Sequence, residues 1–187
     1  MENFKKKKNI ELIIALFFIL IGFGLRLLPH PPNFAPIAAI ALFGAVYLPK
    51  RTALALPIIA MLASDAFIGF YEIKIMAVVY ASFILTGVLG FWLKKHKKPE
   101  TIFYCAVFSS LIFFILTNFA VFVFSPLYEK NLSGFLQCYL MALPFFRNSL
   151  LSDLFYTAIF FGAFELAKVL VDKKFGVKEE IPCKPAI

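Results

Sequence analysis

From Thr101 to Phe124 the chain runs for 24 residues without one Lys, Arg, Asp or Glu. Wound as a helix, such a run is about 36 Å long at ~1.5 Å per residue, enough to cross the ~30 Å hydrocarbon core of a bilayer. The same rule applied to the other apolar runs gives six segments: Ile10 to Leu28, Phe34 to Leu48, Thr52 to Phe70, Ile73 to Leu93, Thr101 to Phe124, and Asn148 to Val171. The sequence therefore predicts an all-α fold, a polytopic integral membrane helical bundle of six transmembrane helices forming a single membrane domain over residues 1–187. The second segment is short, with Pro36 near its start and Gly44 inside. It is expected to tilt less, to begin as irregular backbone, or to stop short of the far side.

Composition agrees: 61% of residues are apolar and 16% charged, against roughly half and a quarter in a soluble domain. Six spans with tight loops use up the 187 residues, which excludes a separate soluble catalytic domain. No G-x-x-x-x-G-K-[ST] phosphate loop occurs, so a nucleotide-driven motor within the chain is excluded too, and any energy source is external.

Loop charge tests the span count independently of hydropathy. With the N-terminus inside, fifteen of the nineteen basic residues fall on the cytoplasmic side: Lys5 to Lys8, Lys50 with Arg51, Lys94, Lys95, Lys97 and Lys98, and then Lys168, Lys173, Lys174, Lys178 and Lys184. Arg26, Lys74, Lys130 and Arg147 stay outside. The expected topology thus has both termini on the cytoplasmic side of a multi-pass cell-membrane protein. The net charge of +8 is read as loop orientation and attraction to anionic lipids, not nucleic-acid binding. Lys5 to Lys8 followed by an apolar run also fit a secretory signal, but the run reaches about 28 Å and Pro29 to Pro32 follows at once, so cleavage is not expected. Cys105, Cys138 and Cys183 share no C-x-x-C spacing and fall at different levels, so neither a disulfide nor a metal cluster is expected.

Polar side chains within spans are costly and so are candidates for function. Asp65, Asn118 and Asp153 each lie five or six residues from the outer end of their span, which places all three ~7 to 9 Å below the outer surface. Arg26 ends the first span, and Arg147 with Asn148 begins the sixth. Ser149, Asp153, Tyr156 and Thr157 recur at helical spacing and are expected on one inward face. The outer connection LPHPPNFAP, with four prolines in nine residues, cannot be a regular helix and should offer His30 and Asn33 from above. The outer loop 125–147 contains FLQCYLMALPFF, too short to span and too apolar for water, and is expected as a separate interfacial or re-entrant helix over the pocket.

Together these residues describe an outward-opening cavity with aromatic walls for a small polar or zwitterionic solute. Asp65, Asn118, Arg147, Asn148 and Asp153 are the expected ligand contacts, with Arg26, Asn33, Tyr156 and Thr157 in supporting positions. No catalytic residue, metal ligand or cofactor is expected. The plain alternative makes the same groups structural: Asp65 or Asp153 bridging to Arg26 or Arg147, and Asn118 with Thr117 joining helices. Likewise Glu165 has Lys168 three residues on and reads as a helix-surface pair, with a proton-carrying role as the alternative. A weak echo, LASDAF against LLSDLF, runs in opposite directions in spans three and six, as inverted repeats do. Small-x-x-x-small spacings at Ala35/Ala39, Ala41/Ala45 and Ala77/Ala81 suit close helix packing or the docking of a membrane partner.

The segments RLLPHPPNFAPIAAIALFGA, SDAFIG, TNFAV and CYLMALPFFRNSLLSDLFY resemble an uncharacterised bacterial family of six-helix transport proteins. That family is similar to the S component, the substrate-binding membrane subunit, of energy-coupling-factor vitamin transporters. The resemblance covers most of the chain from Arg26 to Glu165. It implies a subunit that captures a vitamin-like or small polar nutrient outside and delivers it by reorienting on a separate membrane coupling subunit driven by two ATPases. S components carry an A-x-x-x-A docking motif on the first helix, whereas this first span holds only Ala15 and the alanine pairs lie on spans two and four. Two other classes fit the same residues. One is an intramembrane enzyme acting on a lipid, with Asp65 and Asp153 as acid and base, although no H-E-x-x-H or G-x-S-x-G occurs. The other is a membrane scaffold whose polar groups only join helices.

Overall fold

The computed structural model describes residues 2–175, with side chains from residue 9 to residue 173. Lys178, Lys184 and Cys183 lie outside the described residues, as do the side chains of Lys5 to Lys8 and Lys174. The described chain forms six helices: α1 (Glu2–Leu27), α2 (Ile37–Tyr47), α3 (Lys50–Ile68), α4 (Ile73–Lys95), α5 (Pro99–Phe124) and α6 (Leu132–Phe175). Local chemistry sets the ends. The proline run after Leu28 stops α1, and Gly69, at φ +116°, ends α3 in a conformation that suits glycine. The Glu72 carboxylate accepts from Ile75 N–H at 2.8 Å and starts α4. Pro99 occupies the first turn of α5. Lys130 closes the other end of α5 by donating to the carbonyls of Phe122 and Ser125, where the helix dipole favours a cation.

Five of these helices are long and apolar enough to cross a membrane; α2, at 11 residues, is not. The expected second span is instead a central helix. Ile37 to Val46 are all buried, and α2 packs against every other helix. A helix apolar on all sides belongs in the core, and its alanines permit close approach. A Cβ on Gly90 of α4 would stand 2.5 Å from Ala45 Cβ and 3.0 Å from the Leu42 carbonyl oxygen. The Ala41/Ala45 pair therefore serves packing within the bundle, whereas Ala77 and Ala81 are exposed on α4. Below the alanines, the Phe43 ring meets Phe18, Phe160, Phe161 and Phe164 at centroid distances of 5.3–6.2 Å. The outer faces of the long helices are apolar and exposed, as at Ile13, Phe17 and Leu20 on α1 and Phe103, Phe108 and Ile115 on α5.

The expected separate outer-loop helix and the sixth span are one continuous 44-residue helix with Pro144 inside it. At ~1.5 Å per residue that is about 66 Å, twice the ~30 Å hydrocarbon thickness. Antiparallel contacts with α5 begin at once: Phe122 meets Phe135 at 5.3 Å, and Tyr139 donates to the Ile115 carbonyl at 2.8 Å. Proline lacks the amide proton that would join its turn to the one before, but packing on α5 holds the helix on both sides of the gap. Between the Phe114–Phe146 ring pair and the Ser110–Asp153 hydrogen bond, α6 rises about 10 Å while α5 rises about 6 Å. Over this stretch Phe113 and Phe114 of α5 and Phe146, Ser149 and Asp153 of α6 face a common hollow.

Candidate solute cavity

The hollow is a cavity of about 440 Å³ at the end of the bundle where α3 meets α4 and α5 meets α6. Most of its wall is apolar and aromatic, from Val79, Phe83, Phe113, Phe114 and Phe146, with a few polar groups set into it: Arg26, Asn33, Asn118, Ser149 and Asp153. That mixture suits small-molecule recognition. The proline-rich connection enters from above, where Asn33 adopts φ 61°. The ring nitrogens of His30 lie 2.9 and 3.1 Å from the Pro31 and Arg26 carbonyl oxygens. Asn148 donates to the Pro32 carbonyl at 3.0 Å, and Ser152, fully buried, donates to the Ala35 carbonyl at 3.0 Å. These two bonds tie the connection to α6 and aim the start of α2, which has no side-chain cap, along the wall formed by Ala35, Ile37 and Ala38.

The two carboxylates are held differently. Asp65 sits behind the wall, with Arg26 at 2.7 Å and the Tyr80 hydroxyl donating at 2.6 Å; Arg26 also donates to the Met61 thioether. Asp153 lines the cavity itself and accepts from Ser110 at 2.6 Å. Tyr71, in the α3–α4 connection, completes this side. Burial pushes its phenol up to about 12, with the Asp65 carboxylate adding to the rise and the Arg26 guanidinium opposing it.

The expected common depth of Asp65, Asn118 and Asp153 does not hold. Asp153 is level with Ser110, eight residues and about 12 Å down α5 from Asn118. The reason is that the helix carrying Asp153 begins at Leu132, not at Asn148. Of the residues expected on the pocket, Arg26, Asn33, Asn118 and Asp153 line it, and Asp65 stands one layer behind. Arg147 is exposed and does not line it; two residues from Ser149, it lies about 200° round the helix. Asn148 holds the loop instead. Tyr156 turns to Phe34, at 5.7 Å. Thr157 faces a second, mostly apolar cavity of about 350 Å³ between α5 and α6. Glu165, expected beside Lys168, accepts instead from Lys97 at 2.5 Å and from the Tyr47 hydroxyl at 2.6 Å.

Tyr80, Ser110, Met61 and Ser152 escaped the sequence reading. Ser110 had a signal: with Phe114, Thr117 and Asn118 it recurs at the four- and three-residue spacing of one helical face. Met61 likewise lies one turn before Asp65.

A family model described as a family of unknown function (DUF6580) matches residues 6–175. No curated protein and no solved structure matches the chain.

Proposed function

The chain belongs to that family of unknown function, and we propose, from its cavity, that it is a multi-pass membrane transport protein that binds a small solute. The observation that carries this reading is the 440 Å³ hollow, in which polar groups from α1, α5 and α6 and from the proline-rich connection converge on an aromatic wall. Purely structural polar groups in a bundle pair with one another. Here Ser149 and one oxygen of Asp153 line the hollow without a hydrogen-bond partner among the described residues.

Membrane insertion is supported by the five long apolar helices and by their exposed aliphatic and aromatic faces, which water would reject. The basic clusters at Lys50/Arg51 and Lys94 to Lys98 favour that end of the bundle as cytoplasmic. The cavity then opens outward and both termini lie inside, in a single membrane domain. The resemblance to S components supplies an energising partner, a separate membrane subunit with ATPases, since the chain carries no phosphate loop. On this reading the chain itself performs no covalent chemistry.

Two measurements test it. Protein purified in mild detergent should carry a retained small molecule by native mass spectrometry, and Ala38→Trp, which fills the hollow, should lose it. Absence of any retained or added solute would overturn the reading. In a variant with Cys183 replaced by Ser, Glu129→Cys should react with an impermeant maleimide in whole cells and Lys95→Cys should not; the reverse pattern would invert the topology.

A further inference from the structure

Building on the solute-binding reading, we propose that the solute is an organic cation whose ammonium group pairs with Asp153 while its apolar body lies against the phenylalanine wall.

Charge balance within the hollow carries this inference. The ionisable groups that line it, among the described residues, are Arg26, His30, Tyr71 and Asp153. Arg26 is matched by Asp65 at 2.7 Å. His30 sits at the exposed rim against two backbone carbonyls. Asp153 is 4% exposed; one oxygen takes the Ser110 hydroxyl, and no Lys, Arg or His among the described residues forms a salt bridge with it. A carboxylate so deeply placed is costly without a counter-charge, and the open side of Asp153 is the cavity. A ligand that brings its own positive charge supplies what the protein leaves out.

The surroundings suit such a ligand. Ser149, one turn above, is 6% exposed, lines the same hollow and has no hydrogen-bond partner among the described residues, so its oxygen can take a second N–H. The rings of Phe83 and Phe113 lie 5.3 Å apart and those of Phe114 and Phe146 4.7 Å apart, and aromatic faces attract cations. The uncapped first turn of α2 offers N–H donors to an acceptor oxygen on the same molecule. An anion would meet Asp153 directly in a low dielectric, and a neutral molecule would leave it unmatched.

The test uses the full chain in lipid nanodiscs with three probes of one shape: 2-phenylethylamine, 2-phenylethanol and phenylacetate. The amine should bind at least tenfold more tightly than the alcohol, with the carboxylate weakest. Asp153→Asn should erase the amine's advantage and Asp153→Glu should keep part of it. If neither variant folds, the ranking on the unaltered protein decides alone. Equal or tighter binding of the alcohol or the carboxylate overturns the proposal, as does an unchanged amine preference in Asp153→Asn. A retained neutral or anionic solute overturns the charge assignment and leaves the solute-binding reading standing; no probe binding and no retained solute overturn both.

Discussion

The guanidinium of Arg26, in the last turn of α1, stands 2.7 Å from the carboxylate of Asp65, in the last turn of α3. Tyr80 of α4 donates to the other carboxylate oxygen at 2.6 Å, so one buried anion ties three helices together at the mouth of the cavity. Breaking a buried pair from one side leaves a charge without compensation, at a cost of about 3–5 kcal/mol. Arg26→Met should therefore lower the thermal midpoint in detergent strongly, and Arg26→Met with Asp65→Asn should recover much of the loss. A double variant no more stable than Arg26→Met would show that the pair does not hold the helices.

Gly90 is where α4 comes closest to α2. A methyl group there would stand 2.5 Å from Ala45 Cβ and 3.0 Å from the Leu42 carbonyl oxygen, and neither is the flexible end of a side chain. Overpacking of this kind costs about 1–3 kcal/mol. Gly90→Ala should lower the unfolding midpoint accordingly. Gly24→Ala, with no atom of the described residues beyond its own helix turn within 4 Å of the added carbon, should not lower it, and equal effects would refute the close approach.

Much of this fold is written in the lengths of its apolar runs. Segments expected at Thr52 to Phe70, Ile73 to Leu93 and Thr101 to Phe124 appear as α3, α4 and α5 with ends shifted by a few residues or fewer, because run length and flanking charge are local. The role of α2 is not local: its 11 apolar residues look like a truncated span until five other helices are packed round them. The continuity of α6 through Pro144 is not local either. Proline marks a helix break in sequence, yet packing against α5 carries α6 through it, and that continuity sets Asp153 deeper than span counting allowed. Asp153 and Asn118 were recognisable as costly residues in apolar runs. Tyr80, which holds Asp65, looks like an ordinary member of its helix until the bundle is assembled, and Ser110, which holds Asp153, shows beforehand only its place on one face with Phe114, Thr117 and Asn118.

At the opposite end of the bundle, Lys97 reaches from the α4–α5 connection to Glu165 at 2.5 Å, over the Tyr47 ring at 5.2 Å. Both charged groups are partly exposed, at 31% and 42%, so solvent screens the pair and Lys97→Ala should cost no more than about 1 kcal/mol. Glu165→Ala also leaves the Tyr47 hydroxyl without its 2.6 Å acceptor. It should lower the midpoint further than Lys97→Ala, and Tyr47→Phe introduced with Glu165→Ala should restore the difference. Identical midpoints for the two alanine variants would mean that the Tyr47 bond contributes nothing.

Thr157 and Asp153 lie one turn apart on the buried face of α6 and should respond oppositely to the loss of a hydroxyl. The Thr157 oxygen is buried with no hydrogen-bond partner among the described residues, so Thr157→Val keeps the shape and removes a group whose burial is uncompensated. Its thermal midpoint should be unchanged or raised. Ser110→Ala removes instead the donor that meets Asp153 at 2.6 Å, and leaving a buried acceptor without its partner costs about 1–3 kcal/mol. That variant should melt lower, and binding of an amine probe should shift with it because the freed carboxylate oxygen can turn. A fall in stability for Thr157→Val would show that its hydroxyl has a partner after all, and an unaltered Ser110→Ala would mean that Asp153 is held by something other than α5.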